Sequence, residues 1–223
     1  MKLLSYSHPS MRNGSTSFGA VNDTASPTAS IVDLSTRMPG VRNLSDLIAQ
    51  QRVDEARSIV ETASPNPTVD VALSGVTYER TLPSPGKIFC IGVNYGGRNA
   101  EYKDGQDAPT KPSVFVRFPS SFTGHDQSLI RPPESPQLDY EGEIVAVIGT
   151  GGRRITRADA RHHIAGLTLG NEGTIRDWVR HAKFNVTQGK NWDSSGSIGP
   201  WITTLDEIGE FENLHLTTHV NGE

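Results

Sequence analysis

The sequence predicts an α+β fold dominated by strands. Three observations carry this: many short runs rich in valine, isoleucine and aromatic residues, few segments with the apolar period of a helix, and frequent breaks rich in proline, glycine and serine. With 223 residues and a net charge of −4, the chain is long enough for one large domain or for a domain with a small appendage. The acidic balance offers no electrostatic footprint for nucleic acid. The opening MKLLSYSHPS turns polar after two leucines, which suits neither a signal peptide nor a membrane span, so a cytoplasmic address is expected.

Taken in order, KLLSYS and SFGAV read as short strands around Gly14, followed by the strand IVDLS and a helical patch over LSDLIAQQRVDEARSIVET. Residues 1–80 are therefore expected to form a small N-terminal domain. ASPNPTVDVALSG and TLPSPGK are connecting segments, and a main domain over residues 81–223 starts its strands near Lys87. KIFCIGVNY and PSVFVRF are strands, with a short helix or loop through RNAEYKDG between them. Cys90, the single cysteine, has no partner for a disulfide, and its strand setting reads as inert burial.

A proline-rich turn leads to the strand LDYEGEIVAVIG. In TRADARHH, Thr156 and Asp159 have the spacing of a helix N-terminal cap and its first-turn acid, and His162 and His163 read as solvated helix surface. IAGLTLG is an apolar strand running into Asn171 and Glu172. TIRDWVRHAKF suggests a short helix, TQGKNWDSSGSIGP a loop and WITTL a strand. LHLTTHVNGE alternates like a strand and ends on Asn221-Gly222, the strongest short hairpin signal, so a partner strand is expected next and the sequence reads as a piece of a longer protein.

The strand QLDYEGEIVAVIG raises a chemical question. Alternation places Glu141 and Glu143 on one face with Val145 and Val147, and burying two carboxylates side by side costs on the order of several kcal/mol unless their charge is compensated. A divalent cation is one natural compensator. Glu172, at the end of the next strand, supplies a third carboxylate, and three carboxylates with waters suit Mg²⁺ or Mn²⁺. Neither a cysteine pair nor an HExxH segment supports zinc. Read as spacing alone, E-x-E is a weak signal, since exposed strands often carry alternate glutamates that simply face water.

The segments IGVNYGGRNAEY, LDYEGEIVAVIG, GLTLGNEGTIRDW and TQGKNWDSSGSIGPWI, in this order, resemble the fumarylacetoacetate hydrolase family over about residues 87–205. The resemblance implies that family's mixed β-roll with a small leading domain, a homodimer, and Mg²⁺ or Mn²⁺ held by Glu141, Glu143 and Glu172. Here N-E-G-T-I-R-D carries glutamate where the family usually has aspartate. Lys190 matches the family's lysine beside the metal, which stabilises developing negative charge. Glu101 falls at the glutamate of an acid/base pair whose histidine is replaced by Arg98, a residue that cannot act as a base but suits a substrate carboxylate. Glu101 then works alone, or His125 or another residue substitutes, or the reaction needs no such pair; His125 itself reads first as a turn residue. Arg176 and Asp177 are expected to pair locally and orient the Glu172 loop, while Phe184, Trp192 and Trp201 fill the core.

The implied activity is metal-dependent hydrolysis or lysis of a C–C bond in a small 2-oxo or 2,4-dioxo carboxylate. The alternatives are hydration, isomerisation or decarboxylation of a related 2-oxo acid, or a non-catalytic fragment. The family's T-G-T-P-x-G-x-G-like loop has no counterpart in the chain.

Overall fold

The computed structural model describes residues 1–223 apart from 12, 13, 23, 27, 93, 96–110, 184, 212 and 213. The chain forms strands β1 (Lys2–Ser7), β2 (Thr16–Val21) and β3 (Ser30–Asp33), helices α1 (Leu44–Ala49) and α2 (Val53–Thr62), then β4 (Val71–Ala72) and β5 (Thr77–Tyr78). Next come β6 (Phe89–Gly92), β7 (Ser113–Val116), β8 (Phe122–Thr123), β9 (Leu138–Asp139), β10 (Gly142–Ile148), β11 (Ile164–Asn171) and β12 (Thr174–Ile175). Short helices α3 (Arg176–His181) and α4 (Thr187–Lys190) precede β13 (Gly196–Thr204) and α5 (Leu205–Ile208).

One large sheet runs β10-β11-β13-β1-β2-β3-β4, with β5 beside β1 and β8 beside β13; β9–β12 and β6–β7 form separate two-stranded ladders. β1 lies in its middle, which explains a strand without simple alternation. Leu3 turns to a buried cluster with Phe18, Leu47, Val147 and Ile202, while Leu4 and Tyr6 turn to a second cluster with Val21 and Ile31. Because β1 pairs with β13 through Lys2↔Thr203 and Leu3↔Ile202, the first and last strands share one sheet. The expected division at residue 80 stands as a proposal beside this continuous sheet.

Several local expectations are corrected. The single helical patch is two helices, because Gln51 adopts a left-handed φ of 55° between them. Thr156 Oγ1 does bond to Asp159, and the Asp159 amide donates back to Thr156 Oγ1, but the next residues, Ala160–His163, form a 3-10 turn rather than an α-helix. His162 is exposed, as expected, and His163 is partly buried with Nδ1 2.8 Å from the Thr150 carbonyl. The loop TQGKNWDSSGSIGP contains α4, and β13 begins at Gly196, running through Pro200. A register shift against β11 between Leu167 and Leu169, beside Gly199, accommodates a residue with no amide hydrogen. At the end, residues 214–219 join no ladder, since a strand exists only where a neighbour accepts its backbone bonds. The expected Asn-Gly turn is nonetheless formed: Asn221 and Gly222 have φ of 55° and 89°, and Val220 and Glu223 exchange backbone bonds of 2.9 and 3.1 Å.

Candidate metal and active site

One hairpin register brings the acids together. β10 and β11 pair antiparallel with Gly142 opposite Asn171, so Glu141 lies opposite Glu172, and the Glu172 amide donates to the Glu141 carbonyl at 2.7 Å. β9 and β12 continue the same register, with Asp139 opposite Thr174. Directly opposed residues share a face, as do residues two apart, so Glu141, Glu143 and Glu172 converge. Each offers a carboxylate oxygen, all within 4.8 Å of one another, a set that could hold a metal ion.

Lys190 reaches this cluster from α4. Its ammonium lies 2.6 Å from Glu141 Oε2 and 3.2 Å from Glu172 Oε1, only 4% exposed, with the Phe115 ring centroid 5.3 Å away. Gly189 permits this approach, since a Cβ there would stand 2.2 Å from Val179 Cγ2 and 2.8 Å from the Ile175 carbonyl oxygen. Arg176 binds Asp139 at 2.7 Å and Glu141 Oε1 at 2.7 Å. The expected Arg176–Asp177 pair is thus corrected: Asp177 instead accepts from Ser135 Oγ at 2.6 Å, and Arg176 orients Glu141 itself.

Arg117, 2% exposed, is a site residue the sequence reading missed. It bonds to Ser121, to the Gly173 carbonyl at 3.3 Å and to Ser195 Oγ at 3.1 Å, tying the turn after Glu172 to the approach to β13. Burial lowers its pKa, and the charge of Glu172 opposes that shift. The only signal was an arginine closing the apolar strand PSVFVRF. Lys190 and Arg176 pair directly with these acids and Arg117 adds positive charge nearby, so basic side chains stand beside the divalent cation as a second source of compensation.

The inner face of the β6–β7 ladder completes the surroundings. Burial, then the neighbouring Glu172 carboxylate, pushes the Cys90 thiol up to about 12, which keeps it protonated and agrees with the inert reading. Tyr95 donates to Glu143 Oε2 at 3.1 Å, and burial together with that carboxylate pushes its phenol up to about 12. Glu143 is itself raised, first by burial and then by Glu172 and Glu141, against the opposing Tyr95 hydrogen bond.

The buried Glu172 Oε1 accepts no hydrogen bond among the described residues, although Lys190 stands nearby. An orphaned carboxylate oxygen in an all-oxygen donor set fits a hard cation such as Mg²⁺ or Mn²⁺. Arg98, Glu101 and Phe184 lie outside the described residues. His125 occupies a turn, edge-on to Tyr78 with centroids 5.0 Å apart, which agrees with its reading as a turn residue. Trp192 packs edge-on against Trp178 at 5.1 Å, and Trp201 packs against the cluster of Leu4 and Tyr6.

Comparison with known proteins gives a consistent picture. Oxaloacetate tautomerase YisK of Bacillus subtilis (strain 168) is 39% identical over 178 residues, 77% of this chain and 58% of that protein. The mitochondrial oxaloacetate tautomerase Fahd2a of Rattus norvegicus is 31% identical over 194 residues, 86% of this chain and 61% of that protein. A bifunctional isomerase/decarboxylase of 4-hydroxyphenylacetate degradation from Salmonella dublin is 34% identical over 160 residues, 71% of this chain and 37% of its own length. The chain thus spans less than two thirds of the length of these relatives. Among solved structures, the fumarylacetoacetate hydrolase of Exiguobacterium antarcticum superposes with a TM-score of 0.68 at 27% identity, covering 92% of this chain and 67% of that one. A 2-hydroxyhepta-2,4-diene-1,7-dioate isomerase from Mycobacterium marinum, at 21% identity and a TM-score of 0.65 over 92% of this chain and 66% of that one, shares the fold. The family description "Fumarylacetoacetate (FAA) hydrolase C-terminal" matches residues 87–223, and with the β-rich architecture and the hairpin-borne acids this shows that the chain belongs to the fumarylacetoacetate hydrolase family of enzymes.

Proposed function

We propose that this chain carries the site of an enzyme that moves a proton beside the carbonyl of a small 2-oxo carboxylate, a tautomerase or isomerase, with decarboxylation as a second outlet. The observation that carries the reading is the partly buried trio Glu141, Glu143 and Glu172, with the buried Lys190 ammonium against Glu141 and Glu172. The relatives named as oxaloacetate tautomerases and as an isomerase/decarboxylase support this outcome over C–C hydrolysis. Glu141, Glu143 and Glu172 would hold Mg²⁺ or Mn²⁺. Such a cation supplies Lewis acidity that polarises a 2-oxo carbonyl.

The protein's own groups do the rest. Lys190 presents a buried, desolvated ammonium where negative charge develops on the carbonyl oxygen, and held in place it stabilises that charge without reorganisation. Arg176 fixes the orientation of Glu141, and Tyr95 that of Glu143. Glu101 is assigned the proton transfer and Arg98 the substrate's carboxylate, since a guanidinium has the planar fork for it and cannot deprotonate. A cytoplasmic homodimer remains part of this reading. Among the described residues no helix is long and apolar enough to cross a membrane.

The test monitors the enol–keto interconversion of oxaloacetate by ultraviolet absorbance, with Mg²⁺ or with EDTA. Turnover should need the metal, and Lys190→Met should lower kcat by about 100-fold or more, as loss of a charge-stabilising donor does. An undiminished rate in EDTA would remove the cation from the mechanism. Hydrolysis is the second reading, kept because the Exiguobacterium antarcticum neighbour is a fumarylacetoacetate hydrolase; cleavage of acetylpyruvate outpacing tautomerisation would favour it. Metal binding without any turnover would point to the non-catalytic alternative.

A further inference from the structure

We propose that Lys190 is a built-in counter-ion that competes with the metal for Glu141 and Glu172, so that the cation and an anionic substrate load the site cooperatively. The inference rests on the metal reading above. Both oxygens of Glu141 are already engaged by cations: Oε1 by Arg176 at 2.7 Å and Oε2 by Lys190 at 2.6 Å. Lys190 also stands 3.2 Å from Glu172 Oε1, which has no hydrogen-bond partner among the described residues. To serve a metal, two of the three acids must therefore share or surrender their present partner.

Lys190 cannot simply withdraw. Its helix is seated through Gly189 against Val179 and Ile175, and the ammonium is closed in by Phe115. Two cations on the same carboxylates repel, and the repulsion is poorly screened where water is excluded. A 2-oxo carboxylate relieves it by giving Lys190 an alternative anionic partner. The coupling is reciprocal, so the metal must raise affinity for the anion by the same factor as the anion raises affinity for the metal. Arg176, shared between Asp139 and Glu141, keeps the trio ordered meanwhile.

The experiment titrates Mn²⁺ calorimetrically into the 223-residue chain and into Lys190→Met and Lys190→Gln, with and without oxalate as a non-reacting anion, correcting for Mn²⁺–oxalate association in solution. Lys190→Met should bind Mn²⁺ alone at least about 5-fold more tightly than the wild type, and its enhancement by oxalate should shrink. Its melting temperature should be lower without metal yet rise further with Mn²⁺, a pair of opposite signs that a merely structural lysine would not give. Lys190→Gln keeps a donor to Glu141 and supplies the same comparison should the methionine variant not fold. Unchanged or weaker Mn²⁺ binding in a folded variant, or oxalate enhancement equal to the wild type's, overturns the inference and leaves the metal reading standing. Absence of Mn²⁺ binding to the wild type overturns both.

Discussion

Cys90 shows how one residue's chemistry is set by its surroundings. Its thiol faces the carboxylate of Glu172 across a partly buried gap, and burial plus that negative charge disfavour the thiolate. Because the folded pKa is raised to about 12, the group stays neutral at pH 8 and iodoacetamide should label it slowly in the native protein but readily after denaturation, as mass spectrometry would read. Fast native labelling would show that the β6–β7 ladder does not cover it. At this scale the acids were legible from E-x-E and the N-E-G-T-I-R-D segment, and Lys190 from Q-G-K-N-W-D. Arg117, Tyr95 and the true partner of Arg176 were not, because each acts across the chain: Tyr95 on Glu143 and Arg176 on Asp139 and Glu141, contacts that no local spacing encodes.

Among the elements, the turn between β11 and β12 is the most tightly specified. A Cβ on Gly173 would sit 1.8 Å from the Ser195 carbonyl oxygen, so Gly173→Ala must push Glu172 and the start of β13 apart. We expect a loss of about 1–3 kcal/mol in denaturant unfolding, as for overpacked sites, with weakened Mn²⁺ binding. A second test lies in the N-terminal strands. Asp70 is held below the ordinary carboxylate range: burial pushes it up, but Arg37 at 2.6 Å and the amides of Asn66 and Asp33 outweigh burial. A folded pKa below the unfolded one adds stability that is present above the unfolded value and lost as pH falls through the folded one. Asp70→Asn should therefore lower stability at pH 7 and flatten the acid limb of the stability curve; an unchanged limb would refute the assignment. Strands were the easiest elements to read, whereas the break at Gln51 and the 3-10 turn after Thr156 depend on backbone angles that propensity does not set.

For the whole molecule, the β6–β7 ladder has two faces with different fates. Cys90 and Phe115 face the site, while Phe89, Ile91, Val114 and Val116, cross-strand neighbours on the outer face, are exposed. Contiguous apolar side chains of this kind mark association surfaces, and the proposed homodimer would use them. Sedimentation across a concentration series should show association in the wild type and its loss in Phe89→Asp/Val116→Lys; an association constant unaltered by both changes would place the interface elsewhere.

Composition, strand patterning and four short motifs by themselves determined the β-rich class and the family and singled out the candidate acids and lysine, because those features depend on side-chain type and near-neighbour spacing. Only the tertiary structure decided that β1 joins β13, that one antiparallel register sets Glu141 opposite Glu172, and that Lys190 and Arg176 pair with the acids from other segments. The physical reason is that register and charge compensation arise from contacts between residues far apart in the chain, where burial and Coulomb energy, rather than local pattern, select the partner.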